Sequence, residues 1–89
     1  MTRRTLQLTN RLGLHARAAS KLVQTASGFD CQAWLEYNGR RVNARSIMGV
    51  LLLAAPCGSE LTLETTGAQG EEAADAIAEL VDKRFGEDQ

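Results

Sequence analysis

The chain has 89 residues, enough for one domain with a modest core but too few for two. Its composition, 44% hydrophobic and 24% charged, is ordinary for a globular protein, and no segment approaches the roughly 20 apolar residues of a transmembrane helix. Residues 1–45 carry eight basic and two acidic side chains, whereas residues 46–89 carry two and nine. We therefore expect a cytoplasmic domain without membrane insertion, whose basic half attracts acidic or phosphorylated partners.

The first half of the chain predicts a strand followed by a helix. Polar and apolar residues alternate over 4–9, residues 10–14 form a loop, and helical spacing begins at Ala16 and ends near Ser27, before Gly28. The predicted inward stripe consists of Ala16, Ala19, Leu22, Val23 and Ala26. The opposite face carries Arg17, Ser20, Lys21 and Gln24, which predicts one continuous surface beyond His15.

The middle of the chain predicts a hairpin, a short helix and a further strand. Asn38-Gly39 is a strong turn signal, because both residue types tolerate positive φ. Ser46 is placed to cap the short helix, and Pro56-Cys57-Gly58 is expected to form a loop. The predicted elements are strands Cys31–Tyr37 and Arg40–Ala44, a helix Ile47–Leu53, and a strand Glu60–Thr65.

The last segment, Glu71–Phe85, predicts an amphipathic helix. Acidic residues open it, Lys83 and Arg84 are expected in its last turn, and Gly86 is expected to stop it. The order β-α-β-β-α-β-α, with one apolar face per strand, predicts an α+β open-faced sandwich. We expect one domain over residues 1–89, in which a four-stranded antiparallel sheet carries three helices on one face.

The two cysteines and the single histidine offer no metal site, and we expect no cofactor. Cys31 is predicted to face the core and Cys57 to lie in a turn. In a reducing compartment both are expected to be free thiols.

His15 is the residue that points to chemistry. It lies at the junction between the loop and the first predicted helix. The amino terminus of a helix has unpaired N–H groups and a partial positive charge, both of which attract an anion. A lone histidine there could equally be a partly buried capping residue. Two observations favour a functional role. The small neighbours of His15 leave its ring accessible, and Arg17 places a positive charge at the positive end of the helix dipole, which is unfavourable unless an anion binds there.

This arrangement suggests a nitrogen nucleophile beside a binding site for a phosphoryl group. Positive surroundings would disfavour the imidazolium form of His15 and keep a ring nitrogen free to attack. The product would be a phosphohistidine able to pass its group onward. No general base, metal cluster or nucleotide loop accompanies the histidine, so the sequence predicts a phosphoryl relay and not a self-sufficient enzyme.

Two motifs make the chain similar to a known family. Gly13-Leu14-His15-Ala16-Arg17, followed by Ser46-Ile47-Met48-Gly49-Val50-Leu51 with the serine thirty-one residues after the histidine, resembles the histidine-containing phosphocarrier proteins (HPr) of the bacterial phosphoenolpyruvate-dependent phosphotransferase system. The resemblance covers nearly the whole chain and implies the same open-faced sandwich. It also implies that His15 accepts a phosphoryl group on Nδ1 from enzyme I and gives it to an enzyme IIA, with Arg17 assisting.

One position departs from the common pattern of the family. Carriers of the sugar branch commonly have proline after the arginine, where this chain has Ala18. The His-Ala-Arg-Ala-Ala form resembles the nitrogen-related branch (NPr), or the single multipurpose carriers of some proteobacteria. Phosphoryl transfer is expected with alanine here, and the pathway served is left open.

Ser46 has two interpretations. As a helix cap it would contribute about 1 kcal/mol relative to alanine. The resemblance adds a regulatory role, as the serine modified by HPr kinase/phosphorylase. A phosphate would place roughly −1.5 to −2 charge beside the docking surface, and it would slow acceptance from enzyme I.

The segment after Ser46 is more apolar than a short helix on a one-sided sheet requires. We predict Ile47, Met48 and Leu51 as an exposed docking patch, which the family uses for both partners, and Leu52 as core. Ser20, Lys21 and Gln24 are predicted to extend the patch. Trp34, out of phase with its strand's inward residues, is predicted to lie on the open sheet face.

Two other functions compete with the phosphocarrier. One is a regulatory protein-binding module controlled by phosphorylation of Ser46, although a module acting only in this way would not need His15. The other is a nucleic-acid-binding domain that uses the basic half. The acidic second half and the absence of an aromatic stacking platform argue against nucleic acid. We expect a monomer.

Overall fold

The computed structural model describes residues 1–87, so the last two residues of the predicted domain lie outside the described part. The predicted order of elements is confirmed. The elements are β1 (Thr2–Gln7), α1 (Ala16–Ser27), β2 (Gln32–Tyr37), β3 (Arg40–Asn43), α2 (Ile47–Leu52), β4 (Glu60–Thr66) and α3 (Gly70–Asp82), followed by a short 3₁₀ turn at Arg84–Gly86. No helix among these residues is long and apolar enough to cross a membrane.

The four strands form one antiparallel sheet in the order β1-β4-β2-β3. Because side chains alternate along each strand, one face of the sheet is apolar and lies under the helices, and the other is open. The α+β open-faced sandwich is thus confirmed. The largest fully buried apolar side chains are Leu8, Leu22, Leu35, Val50, Leu61, Leu63, Ile77 and Phe85.

The open face carries a polar row centred on Glu64. Arg3 of β1 and Trp34 of β2 are the register partners of Glu64 on either side. Arg41 reaches across from β3, hydrogen-bonds to Glu64 and lies over the Trp34 ring, with its guanidinium carbon 5.2 Å from the ring centroid. This cation–π and ion-pair cluster accounts for Trp34 on the open face, where the sequence predicts it.

Helix α1 has the predicted bounds, but its buried stripe is shifted. Ala16 is exposed and Ala18 is fully buried instead, beside the expected Ala19 and Leu22. Gly28 ends the helix in a right-handed conformation (φ −79°), so the left-handed glycine cap that is common at helix ends is not used here.

Helix α2 begins at the predicted residue, but the burial of two of its leucines differs from the prediction. The Ser46 hydroxyl oxygen accepts a hydrogen bond of 3.2 Å from the backbone N–H of Gly49, which confirms the N-cap. The prediction that Leu52 is core is wrong, because its side chain is 59% exposed. Leu51, which was predicted to be exposed, packs half-buried against the core.

The prediction of one helix over 71–85 is wrong at its carboxyl end. Helix α3 stops at Asp82, so Lys83 and Arg84 lie beyond its last turn. Arg84, Phe85 and Gly86 all have positive φ and form a left-handed turn after α3. For two non-glycine residues such backbone angles cost energy, which full burial of Phe85 offsets. The turn carries the following residue, Glu87, toward the start of α1.

Candidate functional site

The loop between β1 and α1 is shaped by Gly13. This residue has a φ of +64°, and a Cβ added to it would stand 2.4 Å from the Ala55 carbonyl oxygen. The close approach lets the backbone N–H of Leu14 donate a hydrogen bond of 2.9 Å to that same oxygen. Glycine is therefore required where the loop abuts the segment that follows α2, and the loop then delivers His15 to the start of α1.

His15 occupies the N-cap position of α1 with an extended backbone (φ −77°, ψ 179°). Its carbonyl oxygen accepts the first helical hydrogen bond, from the N–H of Ala19. Its imidazole, however, makes no capping hydrogen bond and is half-buried. The side chain is thus not used to cap the helix, and the ring contacts the far end of the chain instead.

The ring partner is Glu87. The Nε2 atom of His15 lies 2.6 Å from the Oε2 atom of Glu87, and both side chains are largely shielded from solvent. An ionised carboxylate can only accept hydrogen bonds, so Nε2 is the nitrogen that carries hydrogen in the neutral ring. In that tautomer Nδ1 has an unprotonated lone pair, which is the requirement for a nucleophile.

Asn10 fixes the second oxygen of the carboxylate. It is fully buried in the β1–α1 loop, and its amide nitrogen donates to the Gly13 carbonyl oxygen at 2.8 Å and to Oε1 of Glu87 at 3.1 Å. One side chain thus ties the loop before His15 to the segment after α3. The carboxylate is held from both oxygens, which restricts the direction from which it meets the ring.

Electrostatics favour the ionised form of Glu87. Burial of the carboxyl opposes ionisation, but hydrogen bonds from Asn10 and His15 and the electrostatic attraction of the His15 ring and the Arg17 guanidinium hold its pKa below the ordinary value of 4.5. Arg17 itself is exposed in the first turn of α1. The site therefore contains a shielded carboxylate on one side and an exposed cation that is available to an incoming anion.

Glu87 and Asn10 were not predicted as site residues from the sequence. The surroundings of His15 were predicted to be positive only, whereas the structure adds a carboxylate in direct contact with the ring. No local signal identifies a contact between residues 72 positions apart. A polar Asn10 that is fully buried would have been a clue, but burial is not visible in the sequence.

The residues predicted for partner docking are placed in two groups. On α1, Gln24 is exposed and Ser20 is half-buried, while Lys21 is engaged in a hydrogen bond with the backbone of Phe85. On α2, which packs against α1, Met48 is 68% and Ile47 42% exposed. Leu12, in the loop before His15, is 66% exposed and was missed. We call the exposed side chains of α2, Ile47, Met48 and Leu52, the apolar surface.

The two cysteines are free in the structure, Cys31 buried and Cys57 exposed. This agrees with the predicted core and turn positions.

Comparison with known proteins gives one family. Residues 2–83 match the family model described as the phosphotransferase-system HPr component phosphorylation site. The phosphocarrier protein HPr of Cupriavidus necator is 52% identical over 87 residues, covering 98% of both chains. HPr of Treponema pallidum is 46% identical over 88 residues, covering 99% of this chain and all of the other.

Solved structures give the same result. The crystal structure of an HPr from Thermoanaerobacter tengcongensis superimposes with a TM-score of 0.96 at 42% identity, covering both chains completely. The Bacillus subtilis catabolite-repression protein Crh superimposes with a TM-score of 0.75 at 37% identity, covering 94% of this chain and 97% of the other, and is described as a dimer with a swapped domain.

Proposed function

The chain belongs to the HPr family of phosphocarrier proteins of the phosphotransferase system, and we propose that His15 is its phosphoryl acceptor. The observation that carries the proposal is the contact of His15 Nε2 with Glu87, which leaves Nδ1 unprotonated. The Nδ1 lone pair forms a bond to phosphorus while the bond from phosphorus to the donor breaks. Enzyme I is the proposed donor. An enzyme IIA is the proposed acceptor in the following step, in which the bond from phosphorus to the acceptor forms as the P–Nδ1 bond breaks and its electron pair returns to Nδ1.

Arg17 is the proposed phosphate-stabilising residue. Its guanidinium is exposed in the first turn of α1, two residues after His15. Arginine suits this role because its planar fork of N–H groups matches the oxygens of a phosphoryl group. An exposed cation there can meet the phosphoryl group as it arrives, and the N–H groups at the helix start support the same charge.

The proposal is tested by incubating the protein with phosphoenolpyruvate and a bacterial enzyme I and measuring its intact mass. We expect one acid-labile phosphoryl adduct on the wild type and none on His15→Ala. Arg17→Ala should accept the group more slowly than the wild type, whereas Glu71→Gln, at an exposed position in the first turn of α3, should accept it at the wild-type rate. A folded wild type without an adduct, beside an enzyme I that phosphorylates another HPr, would refute the carrier role.

Ser46 is the proposed regulatory site, and the apolar surface is the proposed docking surface for both partners. The Ser46 side chain is half-buried at the start of α2 and immediately precedes the exposed Ile47 and Met48. A phosphate added there by an HPr kinase/phosphorylase would put negative charge at the edge of this surface. Incubation with such a kinase and ATP, followed by mass analysis of wild type and Ser46→Ala, tests the modification.

We also propose a pathway for this carrier. Ala18 favours the nitrogen-related branch or a multipurpose carrier over a carrier for sugar uptake alone. Measuring discharge of the phosphoprotein to enzyme IIA proteins of each branch would distinguish these pathways. We place the reaction in the cytoplasm, where enzyme I would act. We propose that the protein is a monomer, although a dimer structure exists for HPr from Thermoanaerobacter tengcongensis. The molar mass measured by light scattering in solution tests this proposal.

A further inference from the structure

We propose that Leu12 is an anchor residue for enzyme I, an apolar side chain that a rigid turn presents beside His15 and that enters an apolar depression on the partner. This inference rests on the proposed function and adds a contact to it. Leu12 lies outside both sequence motifs and outside the apolar surface of α2.

The exposure of Leu12 is unusual for a large apolar side chain in this protein. In residues 1–87 the exposed side chains of that kind are Met1, the three of the apolar surface, and Leu12, which is 66% exposed. Leu14, two residues later in the same loop, is buried in the core. A single exposed leucine is ordinary on a protein surface, so the surroundings of Leu12 must distinguish it from such residues.

Leu12 lies on a turn whose two ends are bonded to each other. The backbone N–H of Gly13 donates a hydrogen bond of 3.1 Å to the Asn10 carbonyl oxygen, and the Asn10 side-chain nitrogen donates one of 2.8 Å to the Gly13 carbonyl oxygen. Asn10 is fully buried, and the N–H of Leu14 is bonded to the Ala55 carbonyl oxygen. Leu12 is therefore the third residue of a four-residue turn that is fixed to the body of the protein.

A rigid turn makes an exposed leucine suitable for binding. Ordering loops and side chains opposes association, and a residue whose backbone is already fixed avoids part of this cost. An aliphatic side chain held in this way can enter a pocket on a partner without rearrangement of its backbone.

The turn is also close to the reacting ring. Leu12 precedes His15 by three residues, so the Cα atoms of the two residues lie within about 11 Å of each other. A standard protein–protein interface buries about 800 Å² on each partner, which is a patch of about 16 Å in radius. A partner that brings a phosphoryl group to Nδ1 of His15 through an interface of this size therefore also covers Leu12.

The side chain of Leu12 determines which surface can cover it favourably. A polar group of enzyme I placed against the leucine would lose water without gaining a hydrogen-bond partner. An apolar depression instead gains the free energy of burial, which for a whole leucine side chain corresponds to about a ten- to a hundredfold gain in affinity. Because part of Leu12 is already shielded, we expect a gain near the lower end of this range.

The test compares phosphorylation of Leu12→Ser and of the wild type by enzyme I. We expect the KM of enzyme I for the carrier to rise about five- to thirtyfold with kcat unchanged, because the contact stabilises the bound complex and the transition state equally. Leu12→Met keeps an apolar side chain of similar size and is the matched control, so its KM should stay close to the wild-type value. A folded Leu12→Ser variant with the wild-type KM would overturn the proposal.

A second measurement detects the contact without phosphoryl transfer. The carrier, deuterated except at its methyl groups, is mixed with protonated enzyme I without phosphoenolpyruvate, and NMR measures the saturation transferred from enzyme I to the carrier's methyl groups. We expect transfer to Leu12 and Met48 and none to the fully buried Leu35. Transfer to Met48 without transfer to Leu12 would overturn the proposal. Absence of phosphorylation in the wild type would instead refute the carrier role of His15.

Discussion

The ammonium group of Lys21 donates a hydrogen bond of 2.6 Å to the backbone carbonyl oxygen of Phe85, joining the middle of α1 to the left-handed turn after α3. The helical spacing of α1 predicts Lys21 on a docking surface. The structure gives it a second role, because the turn that it holds leads directly to Glu87. A side chain six positions after His15 thus helps to place the carboxylate that contacts the histidine.

Replacing Lys21 should loosen this turn. We expect Lys21→Met to lower the free energy of unfolding by about 0.5–1.5 kcal/mol, the net worth of a typical hydrogen bond, and to speed amide exchange at Gly86 and Glu87. Lys83→Met is the matched control, since the Lys83 ammonium forms an exposed ion pair with Glu79, four residues earlier. Equal exchange at Glu87 in both variants would show that Lys21 does not hold the turn.

Phe85 should be the dominant anchor of the same segment. It is fully buried and belongs to the main core, so Phe85→Ala should cost about 3–5 kcal/mol in urea unfolding, a large share of a small domain's stability. Phe85→Leu, which keeps most of the apolar volume, should cost less than about 1.5 kcal/mol. A cost below about 1 kcal/mol for the alanine variant would mean that burial does not offset the unfavourable backbone angles of the turn.

Two substitutions of Ser46 separate its effect on stability as a helix cap from the effect of a negative charge on phosphorylation. Ser46→Ala should lose about 1 kcal/mol of unfolding free energy, because the Gly49 N–H loses its acceptor. Ser46→Asp keeps a capping oxygen and should be nearly as stable as the wild type, yet accept the phosphoryl group from enzyme I more slowly. Equal phosphorylation rates for Ser46→Asp and wild type would contradict the proposed electrostatic regulation.

Stability in acid should depend on Glu64. Its pKa lies below the ordinary value of 4.5, chiefly because Arg41 hydrogen-bonds to it; burial opposes this shift, and the charges of Arg41 and Arg3 reinforce it. A carboxyl whose pKa is lowered on folding stabilises the fold above 4.5, and this contribution is lost as the pH falls through the folded-state value. Glu64→Gln should therefore lower the Tm near neutral pH.

The difference in Tm between Glu64→Gln and wild type should shrink as the pH falls from about 7 through the lowered folded-state pKa of Glu64, below which the wild-type carboxyl is also neutral. Thermal unfolding followed by circular dichroism across this range measures it, with Glu60→Gln as the exposed control on the same strand. A constant difference over the whole range would mean that glutamine acts through packing and not through the lost charge.

Much of the fold follows from local patterns, and α1 illustrates why. Its start was predicted at Ala16 and its end near Ser27, as observed, because loop residues precede it, an apolar stripe runs through it and Gly28 follows it. The hairpin at Asn38-Gly39 was predicted for a similar reason, as both residues have the positive φ that the turn requires. Short-range signals of this kind also sufficed to place His15 at a helix start.

The errors arise where tertiary contacts override local preference. Arg84 and Phe85 prefer right-handed angles, and only burial of the Phe85 ring explains their left-handed turn. The contact between Glu87 and His15 depends on that turn, so it could not be predicted either. The burial of Leu51 and Leu52 was predicted the wrong way round for a simpler reason. A six-residue helix that is apolar on all sides has no hydrophobic periodicity that would distinguish its buried face from its exposed face.

The position of Glu87 has a practical consequence for handling this protein. An affinity tag fused shortly after Glu87 would lie close to the carboxylate that contacts His15, and a polyhistidine tag there would bring further imidazoles to the reacting group. Met1 is 84% exposed and belongs to the opposite end of the sequence. Kinetic work on phosphoryl transfer should therefore use an amino-terminal tag, or one removed by proteolysis.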